Sequence, residues 1–301
     1  MAGRWLGPMH PYIGSGPYCY SNSLAMLLGA DAPPVGVIET LTGAPFGAQV
    51  EGERPYFDPV GWHPEIGLDA AIDLLGWRCA RTNGGSAAEA VDRLRVALDH
   101  GPVLLGPLDM GLLSYRPGSG VAIGADHYVV ALAMEADVVV LHDPQGHPYA
   151  TLPVADLAAA WRADEIAYAD APFVMRSEFV RARAVSVDEA LEAAMPRAVR
   201  WLTGAPESTE RIAELVDAGL TPDARDLLGV FGIRLGARRL ADAATSLSRV
   251  GRHRAAHIAA EQSRVIGGLQ QPLITGNDTE LATQLRRLAP GYEHLRSALS
   301  D

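Results

Sequence analysis

The sequence predicts an α+β domain over residues 1–180 followed by an α-helical domain over residues 181–301, and three observations carry that division. Gly14-Ser15-Gly16-Pro17 forms a tight entry into a small, apolar stretch from Cys19 to Gly29, which reads as a short helix closed by a glycine. Two runs rich in β-branched residues, 126–134 and 138–144, flank the break Glu135-Ala136-Asp137 and read as a β-hairpin. Beyond Arg183 the strand pattern stops. Segments 186–202, 208–218, 223–236, 238–250, 254–266 and 278–298 then read as helices, most with a cap or a terminating glycine or proline.

Within the first domain, residues 1–18 are rich in aromatics and proline and read as an arm beside the active-site cleft. On a helical wheel Leu24, Leu27 and Leu28 form one stripe of the Cys19 helix, and small or apolar residues fill most of the remainder, which predicts burial on most sides. The long irregular run to His63 carries Tyr56, Phe57 and Trp62; Phe57 is the pocket-lining candidate. A helix over 65–75 and a strand over 77–81 follow, the strand holding Cys79 in a structural role. Ser86 caps a helix to Asp99, with Glu89 at the capping-box position. Residues 103–108 read as a strand, and the glycine-rich 109–125 as a loop without phosphate-binding spacing. A strand from 151, a helix over 155–161 and a closing strand over 171–175 complete the domain.

Bulk properties exclude several classes of function. Two cysteines cannot build a disulfide framework, and there is no CxxC pair for zinc, so a reducing cytoplasm suits the chain. Neither a signal peptide nor an apolar run of membrane-spanning length is visible, so no membrane partner is expected. The net charge of −11 is uneven: residues 1–175 hold 8 Arg against 20 acidic residues, and 176–301 hold 17 Arg against 16. An acidic first domain argues against a nucleic-acid partner. Every one of the 25 basic residues is arginine, which rules out lysine catalysis and suits a GC-rich bacterial genome. His253 and His257 lie one turn apart with no third ligand near them in sequence, so they read as a solvated face, and no metal or other cofactor is expected.

The chemistry is carried by Cys19, His127 and Asp143. A thiol at a helix start meets unpaired N–H groups and the positive end of the helix dipole, which favour the thiolate; such sites lower a thiol from about 8.5 to roughly 3.5–7.5. With the hairpin turn centred on Ala136, paired positions sum to 272, so His127 faces Gln145 and Asp143 faces Val129. His127 and Asp143 are then diagonal neighbours on one face, at the open end of the hairpin. A nucleophile, a base and a group that orients the base are thereby supplied. His142 and His147 are the alternative bases if the register differs. A core cysteine without chemistry is the alternative reading of Cys19.

Tyr18-Cys19-Tyr20-Ser21-Asn22-Ser23, Gly43-Ala44-Pro45-Phe46-Gly47 and Asp126-His127-Tyr128-Val129-Val130 together give residues 10–180 a resemblance. The region resembles papain-like cysteine enzymes, in particular the N-terminal domain family of butirosin biosynthesis protein H, a relative of bacteriocin-processing peptidases. The resemblance implies a papain-like fold, an antiparallel sheet with a central N-terminal helix, and a helical C-terminal region after it. It also implies acyl transfer from a carrier-protein or other thioester to a small-molecule amine, with Cys19 as nucleophile, His127 as base and Asp143 as orienting acid. Processing peptidases place an oxyanion-stabilising glutamine six residues before the cysteine, and here that position is Ile13. The oxyanion donors would then be the Cys19 backbone N–H with Asn22, Tyr18 or the Ser15–Gly16 backbone. Peptide or amide hydrolysis by the same three residues, and an inactive papain-like shell that binds a peptide or carrier protein, remain open.

Overall fold

The computed structural model describes residues 18–300. The chain is mixed α+β and divides into two compact units. One comprises residues 18–42 and His63–Ala190, the other Gly43–Trp62 and 191–300. The sequence division at 180/181 therefore omits one exchange: the run of residues 43–62, expected in the first domain, clusters with the helices.

In chain order, α1 (Cys19–Leu28) ends at Gly29, whose φ of 59° turns the chain into a short 3₁₀ segment. The helix α2 (Val35–Thr42) follows, then a small hairpin of β1 (Gln49–Glu51) and β2 (Arg54–Tyr56), where the sequence had suggested only irregular chain. The first unit resumes with α3 (Pro64–Leu74), β3 (Trp77–Thr82), α4 (Ala87–Leu98), β4 (Val103–Asp109), β5 (Asp126–Glu135), β6 (Val138–Asp143), β7 (His147–Pro153), α5 (Val154–Trp161) and β8 (Met175–Arg181). Ser86 caps α4 in a full capping box with Glu89, as expected. The closing strand lies later than the 171–175 expected from sequence.

The six strands form one antiparallel sheet in the order β3-β8-β4-β5-β6-β7. Helix α1 packs on β4 and β5, and α4 on β4 and β5 with α5 on β4 and β6 through an apolar cluster of Leu94, Val103, Leu105, Val129, Leu141, Leu157 and Trp161. Helices on both faces explain why β4 is buried at every position. Trp161, fully enclosed, donates its indole N–H to the Val174 carbonyl at 2.7 Å and meets Phe173 edge-on. Each buried Leu or Val in this cluster contributes about 1.5–3 kcal/mol relative to exposure.

The strand β4 bulges at Gly106-Pro107, opposite Tyr128. A Cβ on Gly106 would sit 2.3 Å from the Tyr128 ring, so only glycine lets that ring lie against the bulge. This packing fixes β5 at the residue after His127.

The second unit contains α6 (Val187–Trp201) from Leu191 onward, α7 (Ala205–Ala218), α8 (Pro222–Leu227), α9 (Ile233–Arg249), α10 (His253–Gly268), α11 (Gln270–Thr275) and α12 (Asp278–Ser300). The break expected at Gly236 does not occur; a π-turn at Leu228–Gly232 interrupts the helical run instead. Gly236 serves packing. A Cβ there would lie 2.5 Å from Cβ of Phe57, so the missing side chain admits the Phe57 ring. Asp58 accepts hydrogen bonds from Gln49 and Arg239 in the same unit, and the Arg239 guanidinium lies over Trp62. No helix among the described residues is long and apolar enough to cross a membrane.

Candidate active site

The hairpin of β5 and β6 delivers the imidazole and carboxylate together. His127 Nε2 lies 2.8 Å from Asp143 Oδ1, and both side chains are fully buried. An ionised carboxylate can only accept, so Nε2 carries a proton, and in the neutral ring Nδ1 then carries the lone pair. Nδ1 is buried and has no hydrogen-bond partner among the described residues.

Asp143 is held on both oxygens. Oδ1 also accepts the Gln145 backbone N–H at 2.7 Å, while Oδ2 accepts the Tyr115 hydroxyl at 3.0 Å and the Arg116 guanidinium at 2.9 Å. Burial alone would raise this carboxyl. The hydrogen bond and charge of His127, with the Gln145 and Tyr115 donors, outweigh it and hold the group well below the usual carboxylate range. Tyr115 is pushed far up by burial and by the adjacent Asp143 charge, so it stays a neutral donor.

Cys19 is the first residue of α1 and is nearly enclosed. The backbone N–H groups of Tyr128, one residue beyond His127, and of Tyr20 point toward its sulfur and favour the thiolate. The thiol thus reaches the strand that carries the imidazole without a hydrogen bond to Nδ1. Burial pushes the Cys19 thiol well up, the Asp126 and Glu39 carboxylates push the same way, and the two N–H groups offset only part. The thiolate expected from the helix start is therefore not the resting form, because desolvation and two nearby carboxylates exceed what the helix end supplies.

Of the expected pocket residues, Asn22 donates its side-chain amide to the Tyr18 carbonyl at 2.7 Å, which engages one amide hydrogen in closing the helix start. Tyr18 is buried and provides no side-chain cap to α1. Phe57, expected to line the pocket, is a buried ring of the other unit, packed over Gly236. Ser15 and Ile13 lie outside the described residues. His142 accepts the Tyr149 backbone N–H at Nδ1, and His147 meets the Tyr115 ring edge-on, so neither occupies the position that His127 takes beside Asp143.

Several contributors escaped sequence reading. Tyr115 and Arg116 sit in the loop dismissed for lacking phosphate-binding spacing, and nothing in their spacing ties them to Asp143. A second buried network joins Asp126 to Tyr168, and Tyr128 to Glu65, with the two tyrosine hydroxyls 3.2 Å apart. Glu65 is in turn paired with Arg176 and Arg81, and Arg176 with Asp69. Among the described residues no cluster of three or more His, Cys, Asp or Glu could hold a metal.

Comparison with known proteins adds kinship without an activity. Residues 200–300 match the family described as the YobF C-terminal domain. The chain is also similar to the protein named "Uncharacterized protein YobF" from Bacillus subtilis (strain 168), 36% identical over 160 residues. That match covers 52% of this chain and 52% of the relative, so the chain spans about half the length of the curated relative it matches. The YobF C-terminal match falls within the helical unit, which holds none of Cys19, His127 and Asp143.

Proposed function

We propose that this protein is a papain-like cysteine enzyme that transfers acyl groups through an acyl-enzyme on Cys19. The observation that supports this most is the divided imidazole of His127: Nε2 is held by Asp143 at 2.8 Å, and Nδ1 is left buried and unbonded among the described residues. A merely structural histidine normally engages both nitrogens when fully buried. In the proposed cycle Nδ1 accepts the thiol proton of Cys19 as the sulfur attacks a thioester carbonyl. Collapse of the tetrahedral intermediate breaks the donor's C–S bond, and the imidazolium returns the proton to the leaving thiolate. A small-molecule amine then attacks the acyl-cysteine, with His127 taking the amine proton and passing it to Cys19.

The raised thiol makes base assistance obligatory: attack has to be concerted with proton transfer or follow a local shift that unites sulfur and Nδ1. Catalytic hydrogen bonds commonly tighten only when substrate binds. A thioester donor fits this arrangement better than an amide, since a thiolate leaving group demands less of the oxyanion site. By the resemblance to the butirosin biosynthesis protein H family, the donor is a carrier-protein or coenzyme-type thioester.

Incubation with short-chain acyl thioesters, followed by intact-mass measurement, tests the reading. A mass gain of one acyl group on Cys19, discharged by added amine, supports transfer. Release of free acid at one rate with and without amine supports hydrolysis by the same residues. The enclosed, protonated thiol favours a second reading, a non-catalytic shell that binds a peptide or carrier protein. That reading predicts no adduct and ordinary thiol reactivity.

A further inference from the structure

We propose that Arg116 is a positioning residue for the Cys19–His127 pair, acting through Asp143 from a loop whose sequence carries no motif. The inference rests on the site reading above, and goes beyond it by adding a cation to the three residues considered so far. Arg116 bridges two acceptors: Nη1 reaches Asp143 Oδ2 at 2.9 Å, and Nη2 reaches Gln145 Oε1 at 3.0 Å. The Gln145 backbone N–H returns to Asp143 Oδ1 at 2.7 Å, closing a ring around the carboxylate. Because the guanidinium and Tyr115 fill Oδ2, the carboxylate plane is fixed with Oδ1 aimed at His127 Nε2.

The loop itself is built to hold this position. Asp109, buried at the end of β4, accepts the backbone N–H groups of Gly111, Ile123 and Gly124, pinning both ends of the excursion. Leu113 is fully buried between those ends, two residues before Tyr115. A loop that only covered the core would not need its arginine aligned on an enclosed carboxylate.

Charge makes this role measurable. The ionisable groups around the pair are Asp126 on β5, Glu39 on α2, Tyr115 and Arg116 on the loop, Asp143 on β6, and His147 at the start of β7 beside Tyr115. Among the described residues Arg116 is the guanidinium that contacts Asp143 directly. Removing it leaves the local potential more negative, which disfavours loss of the Cys19 proton, so the reactivity profile of the thiol moves to higher pH.

The test is the pH profile of Cys19 alkylation by iodoacetamide in the full chain, read at the Cys19 peptide by mass spectrometry, so no acyl donor is required. In Arg116→Gln the midpoint is expected to rise by about half to one pH unit, with alkylation on the acid side slowed about 3–10-fold. Arg116→Lys, which keeps the charge and loses the bridge to Gln145, is expected to restore most of the midpoint. Tyr115→Phe removes a neutral donor and is expected to move it less, in the same direction; it carries the test if Arg116→Gln does not fold. A profile for Arg116→Gln that superimposes on the unmodified protein, with only thermal stability lowered, makes Arg116 a structural tie and overturns the inference. His127→Ala separates the two levels. If it moves the profile and Arg116→Gln does not, this inference alone fails; if neither moves it, the pairing of Cys19 with His127 fails as well.

Discussion

His127 and Asp143 face each other across β5 and β6 with 2.8 Å between Nε2 and Oδ1, and neither side chain is exposed to solvent. The carboxylate fixes the tautomer, and the tautomer determines which ring nitrogen can serve as a base. Asp143→Asn keeps the shape but lets an amide N–H donate to Nε2, which moves the ring proton to Nδ1. Single-turnover acylation of Cys19 is expected to fall by about 10²–10⁴-fold. An Asn variant that acylates at the unmodified rate would remove Asp143 from the mechanism.

The same carboxylate makes stability pH-dependent. Asp143 and Glu65 are both held below the usual carboxylate range despite burial, Glu65 by the Arg176 and Arg81 guanidiniums. A depressed folded-state value means the unfolded chain binds protons more readily. The stabilisation is present in full above the unfolded value of about 4 and is lost as pH falls through the folded values. Urea midpoints are therefore expected to fall steeply below about pH 4, and the Asp143→Asn variant is expected to show a shallower decline.

The buried ion pair of Glu65 and Arg176 predicts an asymmetry. Arg176 is fully enclosed, with Nη1 on Glu65 Oε1 at 2.8 Å and Nη2 on Asp69 at 2.7 Å. Arg176→Met alone leaves Glu65 with only Arg81 and the Tyr128 hydroxyl as partners. Its expected cost is about 3–5 kcal/mol, whereas the double variant Glu65→Leu/Arg176→Met is expected to recover a large part of that loss. Chemical denaturation of the two variants checks it.

In the helical unit, Gly236→Ala drives a methyl into Phe57, whose Cβ lies 2.5 Å from the position the new atom would take. Overpacking of this kind costs about 1–3 kcal/mol, more than the gain from replacing glycine within a helix. A lowered urea midpoint is expected, and an unchanged one would contradict the close approach of Phe57 to this helix.

The hairpin shows how sequence legibility can rest on a compensating detail. The expected turn had three residues, Glu135-Ala136-Asp137, and paired positions summing to 272. The observed loop has two, Ala136 with a φ of 50° and Asp137, and near it the pairs Glu135–Val138 and Met134–Val139 sum to 273. A register shift between Ala131 and Ala133 restores 272 by the pair Val130–His142. Without that bulge His127 and Asp143 would leave opposite faces of the sheet. Alternation of apolar and β-branched residues revealed the strands, and capping chemistry revealed α4, because both are local. Arg116 on Asp143, Arg176 on Glu65 and Phe57 on Gly236 join positions far apart in the chain, and no local pattern announces such pairs. The resting state of Cys19 was hidden for a related reason: the helix start is visible in sequence, but the burial and the Asp126 and Glu39 charges that oppose it arise only on folding.

The most direct test of the account is the mass of the protein after incubation with an acyl thioester at neutral pH, compared across the unmodified chain, Cys19→Ala and His127→Ala. The account predicts one added acyl group in the unmodified chain, mapped to Cys19, none in Cys19→Ala, and an adduct that forms far more slowly in His127→Ala. An adduct that forms equally fast without the imidazole, or turnover that survives loss of the thiol, would contradict it.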